Sequence, residues 1–235
     1  MAQSFFIWNG VDCRSKGVTM KSPAPIIRPE ERVRHVQIPG RSGDLTETEG
    51  EEIYNPYIQT IPISVKGGYR VREIYRWLRG SGYVTFSGEP DRRQAARIIG
   101  AVTLNRHSRN LDKWEGEVQF YCQPLKELMQ TETVEITSAG SVINRGDVTS
   151  RPVIRAELTG SNVTVTIGGK SFTVTGVSGD VIEIDSDAEE VLNYNETTLY
   201  TNKSTGKFPV LAPGNNAVQG SGWSKLTFDR RERYL

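Results

Sequence analysis

The chain has 235 residues and a mass of 26.2 kDa, enough for one large β domain or two domains of ordinary size, each with a core of its own. With 29 Lys and Arg against 28 Asp and Glu it is nearly neutral, which gives no reason to expect a polyanionic partner held by bulk electrostatics. No run of residues approaches the roughly 18 apolar positions of a membrane span, and the opening MAQSFFIWNGVDCRSKG lacks the basic and apolar regions of a secretory signal.

The dominant pattern is short period-2 alternation, the mark of half-buried strands. SFFIWNGV reads as the opening strand. Cys13 and Cys122, far apart in a chain that reads as cytosolic, are expected to be two reduced, packed thiols. The sequons at Asn162, Asn195 and Asn202 carry no consequence without export. In RHVQIPG, His35, Gln37 and Pro39 alternate with Val36 and Ile38. That run passes into Pro-Gly-Arg-Ser-Gly, collects Asp44, Glu47, Glu49, Glu51 and Glu52, and resumes near Tyr57. The stretch holds nothing reactive, so an acidic arm there needs a reason from elsewhere in the chain.

YIQTIPISVKGG alternates Ile61, Ile63 and Val65 with polar partners, and Pro62 predicts an edge strand or a bulge. YRVREIYRWLRGSG predicts the one helix: Val71, Ile74, Tyr75 and Leu78 share a face, and Gly80 and Gly82 stop it. The other face carries Arg72, Arg76 and Arg79. Such a face can bind phosphates; with no aromatic residue interleaved, it reads instead as a solvated or ion-paired face on a helix covering a sheet. GYVTFSG, ARIIGAVTLNRHS and WEGEVQFYCQP complete the strands of a first domain.

Between Gln123 and Glu132 the style changes, and two domains are expected, 1–130 and 131–235. The first holds 19 basic and 15 acidic residues, the second 10 and 13. The second half is richer in Thr, Val, Ser and Gly. NVTVTIGGKSFTVTG predicts a hairpin turning at Gly168-Gly169, and SRPVIRAELTG and LTFDRRERYL also alternate. Many short strands with Gly turns predict a β-sandwich.

Chemistry is hard to place. The only histidines are His35, inside a strand, and His107, in a polar connection, so a nucleophile has no base and no Cys or His pair has ligand spacing. The acidic run DSDAEE, Asp185 to Glu190, lacks the glycine and the closing glutamate of a calcium loop. GSGYVTFSG and GSGWSKLTF lack the ending of a phosphate loop. Glu115 and Glu117 share a strand face, as do Glu183 and Asp185, but such pairs are routine on the wet side of an antiparallel sheet. No catalytic, cofactor or metal site is expected, and the chain reads as one that holds rather than transforms.

Taken in order, FFIWNGVD with Gly17 shortly after, VQIPGRSGDL, VREIYRWLRGSGYVTFSGEPD, EVQFYCQP, INRGDVTSRPVIRAEL and FPVLAPGNNAVQGSGW resemble the distal tail protein (Dit) family of long-tailed bacteriophages over essentially the whole length. The resemblance implies a mainly β, two-domain fold. Its N-terminal part would be a ring-forming, tail-tube-like β-sandwich with one α-helix and a β-hairpin arm, and its C-terminal part a galectin-like β-sandwich. It implies a non-enzymatic hub in the virion, made in the host bacterial cytoplasm. A homo-hexameric ring would join the tail tube protein to the tail-associated tip protein and to receptor-binding or accessory baseplate proteins, with no membrane partner and DNA only as passing cargo. The C-terminal part, about 105 residues, leaves no room for the carbohydrate-binding insertion some relatives carry. A ring interface is head to tail and needs two complementary patches. The candidates are Arg41, Asp44, Glu47, Glu49, Glu51 and Glu52 on the arm against Arg72, Arg76 and Arg79, or Arg92 and Arg93, on a neighbour. The competing reading is a galectin-like carbohydrate-binding module for host-surface recognition, with Trp223 as a sugar platform or else a core aromatic; a hydrolase on the same scaffold stands third.

Overall fold

The structure is a computed structural model, and it describes residues 4–48, 50–67, 70–107, 112–178, 180–194 and 198–235. The chain divides into two compact units, Met1–Met129 together with Leu235, and Gln130–Tyr234.

The N-terminal unit contains β1 (Phe6–Trp8), β2 (Val11–Asp12), β3 (Val18–Met20), β4 (Val33–Gln37), β5 (Asp44–Thr48), β6 (Tyr57–Lys66), α1 (Val71–Trp77), β7 (Ser81–Phe86), β8 (Arg92–Arg106) and β9 (Lys113–Leu128). Seven of these strands form one antiparallel sheet in the order β2-β1-β7-β8-β9-β6-β3, curled into a half-barrel. β4 and β5 stand apart as a two-stranded ribbon.

The opening run is two strands rather than one. Asn9 and Gly10 both take positive φ, 49° and 78°, the pair of values that closes a tight hairpin between β1 and β2. The Asn9 side chain then accepts a hydrogen bond from the Tyr83 amide at 2.9 Å, which ties the turn to β7. Pro62 also departs from expectation: β6 lies between β9 and β3, and its register against β9 is unbroken. The Pro62 carbonyl accepts from the Lys21 amide at 2.9 Å just past the end of β3, so the missing N–H falls where that ladder stops.

Side chains on the inner face of the sheet gather around Phe120. Phe6 meets its ring edge-on at 5.5 Å, Phe86 at 5.9 Å, and Trp8 tilts against it at 5.5 Å. Trp77 of α1 stacks on Phe6 at 5.7 Å, which docks the helix onto this cluster with Ile74 and Leu78 buried beside it. The helix is shorter than its pattern predicts. It ends at Trp77, Leu78 closes the last turn onto the Ile74 carbonyl at 2.7 Å, and Arg79 lies beyond it. Two turns present a single stripe to the core, so Tyr75, expected on the apolar face, is exposed. Both cysteines are buried, and burial pushes the Cys122 thiol up to about 12.

The C-terminal unit contains β10 (Thr133–Ile136), β11 (Gly140–Asn144), β12 (Val153–Leu158), β13 (Asn162–Ile167), β14 (Lys170–Thr175), β15 (Val181–Asp185), β16 (Glu190–Asn193), β17 (Ser204–Thr205), β18 (Gly214–Ser221) and β19 (Trp223–Asp229). They make two five-stranded sheets, β10-β19-β12-β15-β16 and β11-β18-β13-β14-β17. Ile154, Ile184 and Phe228 from the first and Val165, Phe172 and Val218 from the second fill one core, the arrangement of a β-sandwich. The β13–β14 hairpin turns at Gly168-Gly169 as its pattern predicts.

Candidate functional site

The acidic stretch is built as an arm. β4 and β5 pair antiparallel from Val33 opposite Thr48 to Gln37 opposite Asp44, and the tip between them carries Pro39 and Arg41. The ladder resumes at the root, where the Arg32 amide donates to the Ile53 carbonyl at 2.8 Å and the Asn55 amide to the Glu30 carbonyl at 2.7 Å. Cross-strand partners share a face, so Arg34, Val36 and Ile38 lie with Leu45 and Glu47, while His35 and Gln37 lie with Asp44 and Thr46. His35 meets Thr46 across the ribbon, Nδ1 to Oγ1 at 3.2 Å. Every residue of β5 is exposed, and among the described residues no third strand joins the ribbon. Glu51 and Glu52 stand at the root, and Glu49 lies outside the described residues.

The basic candidates fall into two groups. Arg72 and Arg76 project from α1 and Arg79 from the turn after it, all exposed, so the three do not form one helical face. Glu73 between them is taken by Lys16 at 2.6 Å. Among the described residues, the side chains of Arg41, Asp44, Glu47, Glu51, Arg72, Arg76 and Arg79 make no hydrogen bond or ion pair. Arg92 and Arg93 differ: Arg92 pairs with Glu89 at 2.7 Å, and Arg93 pairs with Glu127 at 3.2 Å while lying over the Tyr83 ring. Within one chain the arm and the arginines are not brought together by any ion pair among the described residues.

The carboxylates weighed for chemistry are committed elsewhere. Glu115 sits between Lys113 at 2.7 Å and Lys21 at 3.0 Å, whose hydrogen bonds hold its carboxyl down at about 2. Glu183 pairs with Arg155 at 2.8 Å. In the 185–190 turn, Asp185 takes both guanidinium nitrogens of Arg231 at 2.9 Å and the amides of Asp187 and Ala188. Asp187 pairs with Arg233 at 3.1 Å. Among the described residues no three His, Cys, Asp or Glu side chains are placed to hold a metal ion. Trp223 packs against the sandwich core and donates its indole N–H to the Thr164 carbonyl at 3.2 Å, which takes it away from the role of a free sugar platform.

The Dit protein (gp 19.1) of phage SPP1, described as a paradigm of the hub adsorption apparatus in Gram-positive-infecting phages, superposes with a TM-score of 0.80. The match covers 100% of this chain and 100% of that one, at 18% sequence identity. This chain has the Dit fold. The activated phage P2 baseplate is a more distant likeness: its calcium form matches at TM-score 0.48 and 10% identity over 100% of this chain and 99% of that one. Its strontium form matches at 0.42 and 10% over 96% of each. No protein-family model matches the chain, and no curated protein sequence does.

Within the Dit fold, several surface features escape linear reading. Arg34, opposite Glu47 on the arm, is one. Another is the outer face of the main sheet, where Ile58, Tyr83, Arg97 and Tyr121 come together from four strands. Neither has a local motif. The available signal is strand register, which alternation alone leaves free by two residues.

Proposed function

We propose that this chain is the structural hub at the distal end of a long non-contractile phage tail. A homo-hexameric ring of it joins the tail tube to the tail-tip or baseplate proteins and the receptor-binding apparatus, and DNA passes through the opening. The observation that carries the reading is the full-length superposition on the SPP1 Dit protein, which spans both units in one alignment. A fold hosts many functions, and the unpaired surface charges lend the reading support. On the arm Asp44, Glu47 and Glu51 present carboxylates without partners among the described residues, and Arg72, Arg76 and Arg79 present cations in the same condition. In a closed ring each copy offers one patch and accepts the other, and charge complementarity sets the register of the contact more than its affinity. The hub works in the virion after synthesis in the host cytoplasm, and it needs no cofactor and performs no catalysis.

The test is the native mass of the purified chain over a concentration series, with negative-stain images of the same samples. A six-subunit annular particle, alone or on addition of the tube or tip protein, is the expected result. A chain that stays monomeric with both proteins present overturns the hub reading.

A further inference from the structure

The outer face of the curled sheet carries a patch that the hub reading leaves unused. Ser81, Arg97, Tyr121 and Ile58 are cross-strand partners on β7, β8, β9 and β6 and so form one row on the face turned away from the core. Tyr83, two residues on from Ser81, continues that face, and Ala95 opposite it, with the backbone of Gly82 and Ala96, leaves a shallow groove between Tyr83 and Tyr121. Ile58 is 52% exposed and Tyr83 41%. Arg97 rises beside the groove, exposed, with no hydrogen bond or ion pair among the described residues. Arg93 behind Tyr83 is already neutralised by Glu127.

One face of the arm has the complementary make-up. Val36, Ile38 and Leu45 lie together with Glu47, and Ile38 and Leu45 are 39% and 36% exposed. A two-stranded ribbon with both faces in water is of marginal stability, so these apolar side chains gain most from a surface outside the ribbon. The arm face offers three aliphatic side chains with Glu47 and, opposite it in register, Arg34, against two tyrosines, one isoleucine and the guanidinium of Arg97 on the sheet; Glu47 is the group there that Arg97 attracts.

We infer that the groove between Tyr83 and Tyr121, with Ile58 and Arg97, is the acceptor for the arm of a second copy of this chain, Leu45 and Ile38 entering the groove and Glu47 meeting Arg97. The inference rests on the ring reading and deepens it, because it moves the principal acceptor from the helix arginines to the outer sheet face. Aromatic and Arg residues around a small-residue floor are the composition that carries most of the energy in a protein interface.

Arg97→Glu is a surface change and leaves the thermal midpoint of the chain unaltered. It raises the concentration at half-assembly about thirtyfold or more, the loss expected when a close charge pair at an interface is broken, and Arg97→Glu combined with Glu47→Arg restores assembly. Cysteines at Ile58→Cys and Leu45→Cys link subunits on mild oxidation, since Cys13 and Cys122 are buried and do not compete. Assembly of Arg97→Glu at the native concentration overturns the inference and leaves the ring reading standing. Failure of the charge swap to rescue, with Arg72→Glu or Arg76→Glu disrupting instead, overturns it in favour of the helix. If the native chain itself stays monomeric with tube and tip proteins present, both readings fall.

Discussion

Two polar surfaces of this chain spend their charges differently. On the outer face of the first C-terminal sheet, Lys225 sits between Glu157 at 2.8 Å and Glu135 at 3.6 Å, and Arg155 pairs with Glu183 across β12 and β15. Tyr194 lies under the Arg155 guanidinium at 4.7 Å, so even the aromatic there is used. On the arm, Asp44, Glu47 and Glu51 find no such partner among the described residues, although Arg34 stands opposite Glu47 in register. A surface that satisfies itself has little to offer a partner, whereas one that keeps its charges and a few apolar side chains in water is suited to contact another molecule. The number of charges does not separate the two regions; their pairing does.

The sharpest way to break this contrast is to reverse the arm. Glu47→Lys with Glu51→Lys is expected to abolish assembly while the thermal midpoint stays within error of the native chain, because neither side chain holds anything within the subunit. Sedimentation velocity and a melting curve on the same preparation check both halves. Loss of fold together with loss of assembly would show that the arm is part of the subunit's own stability.

A second change tests the opposite extreme, a buried charge just past the last strand of the sandwich. Glu232 accepts from Arg230 at 2.9 Å, from the Arg145 amide at 2.9 Å and from the Tyr234 hydroxyl at 3.0 Å, with Arg230 and Glu232 both almost wholly buried. Glu232→Gln keeps the shape but removes the buried countercharge of Arg230, leaving only the longer pair with exposed Glu132 at 3.5 Å, and about 3 kcal/mol of stability should be lost. Hydrogen exchange of peptides from 130–234 across a urea series reads the C-terminal unit, since Trp8, Trp77 and Trp114 fluoresce from the other one. Assembly measured below the new midpoint should be unchanged.

Much of this architecture was legible beforehand, and the failures have physical causes. The β13–β14 hairpin announced itself because alternation and the Gly168-Gly169 turn agree. The arm was visible as an acidic interruption between two alternating runs. The end of α1 was misplaced because Gly80 and Gly82 mark where the chain can turn, while the helix stops three residues earlier at Trp77, whose stacking on Phe6 anchors that end. Pro62 was legible as a break in a ladder, yet which ladder depends on how far β3 extends, and nothing near Pro62 states that. The groove around Arg97 was invisible for a deeper reason: its side chains come from β6, β7, β8 and β9 and meet only once the register of all four strands is set.

Acid sharpens the comparison on the side of the spent charges. Glu115 is held at about 2 by Lys113 and Lys21, below its ordinary value of 4.5. A depressed carboxyl contributes stability that is present above its unfolded value and is lost as pH falls through its folded one. The N-terminal unit should therefore give up this contribution between pH 4.5 and about 2, and Glu115→Gln should flatten the pH dependence of its urea midpoint in that window. A variant that follows the native curve through the window would mean that the two lysines leave Glu115 in solution when the strands are in place.

The smallest effect is the most discriminating. Glu183→Gln breaks the pair with Arg155 on a face where Arg155 is about half in water, and an exposed pair of this kind is worth about 0.2–1 kcal/mol. Arg155 keeps its contact with the Tyr194 ring, which holds the guanidinium near its place and reduces the loss further. The expected result is a small drop in the C-terminal unit's stability and no change in assembly. Glu47→Gln removes the same charge from the arm, with the opposite pattern expected: no change in stability and a weaker ring. The two substitutions are chemically identical, so a difference in their readouts can come only from what each carboxylate faces. Equal effects on assembly would show that pairing within the subunit does not decide which surfaces meet a neighbour.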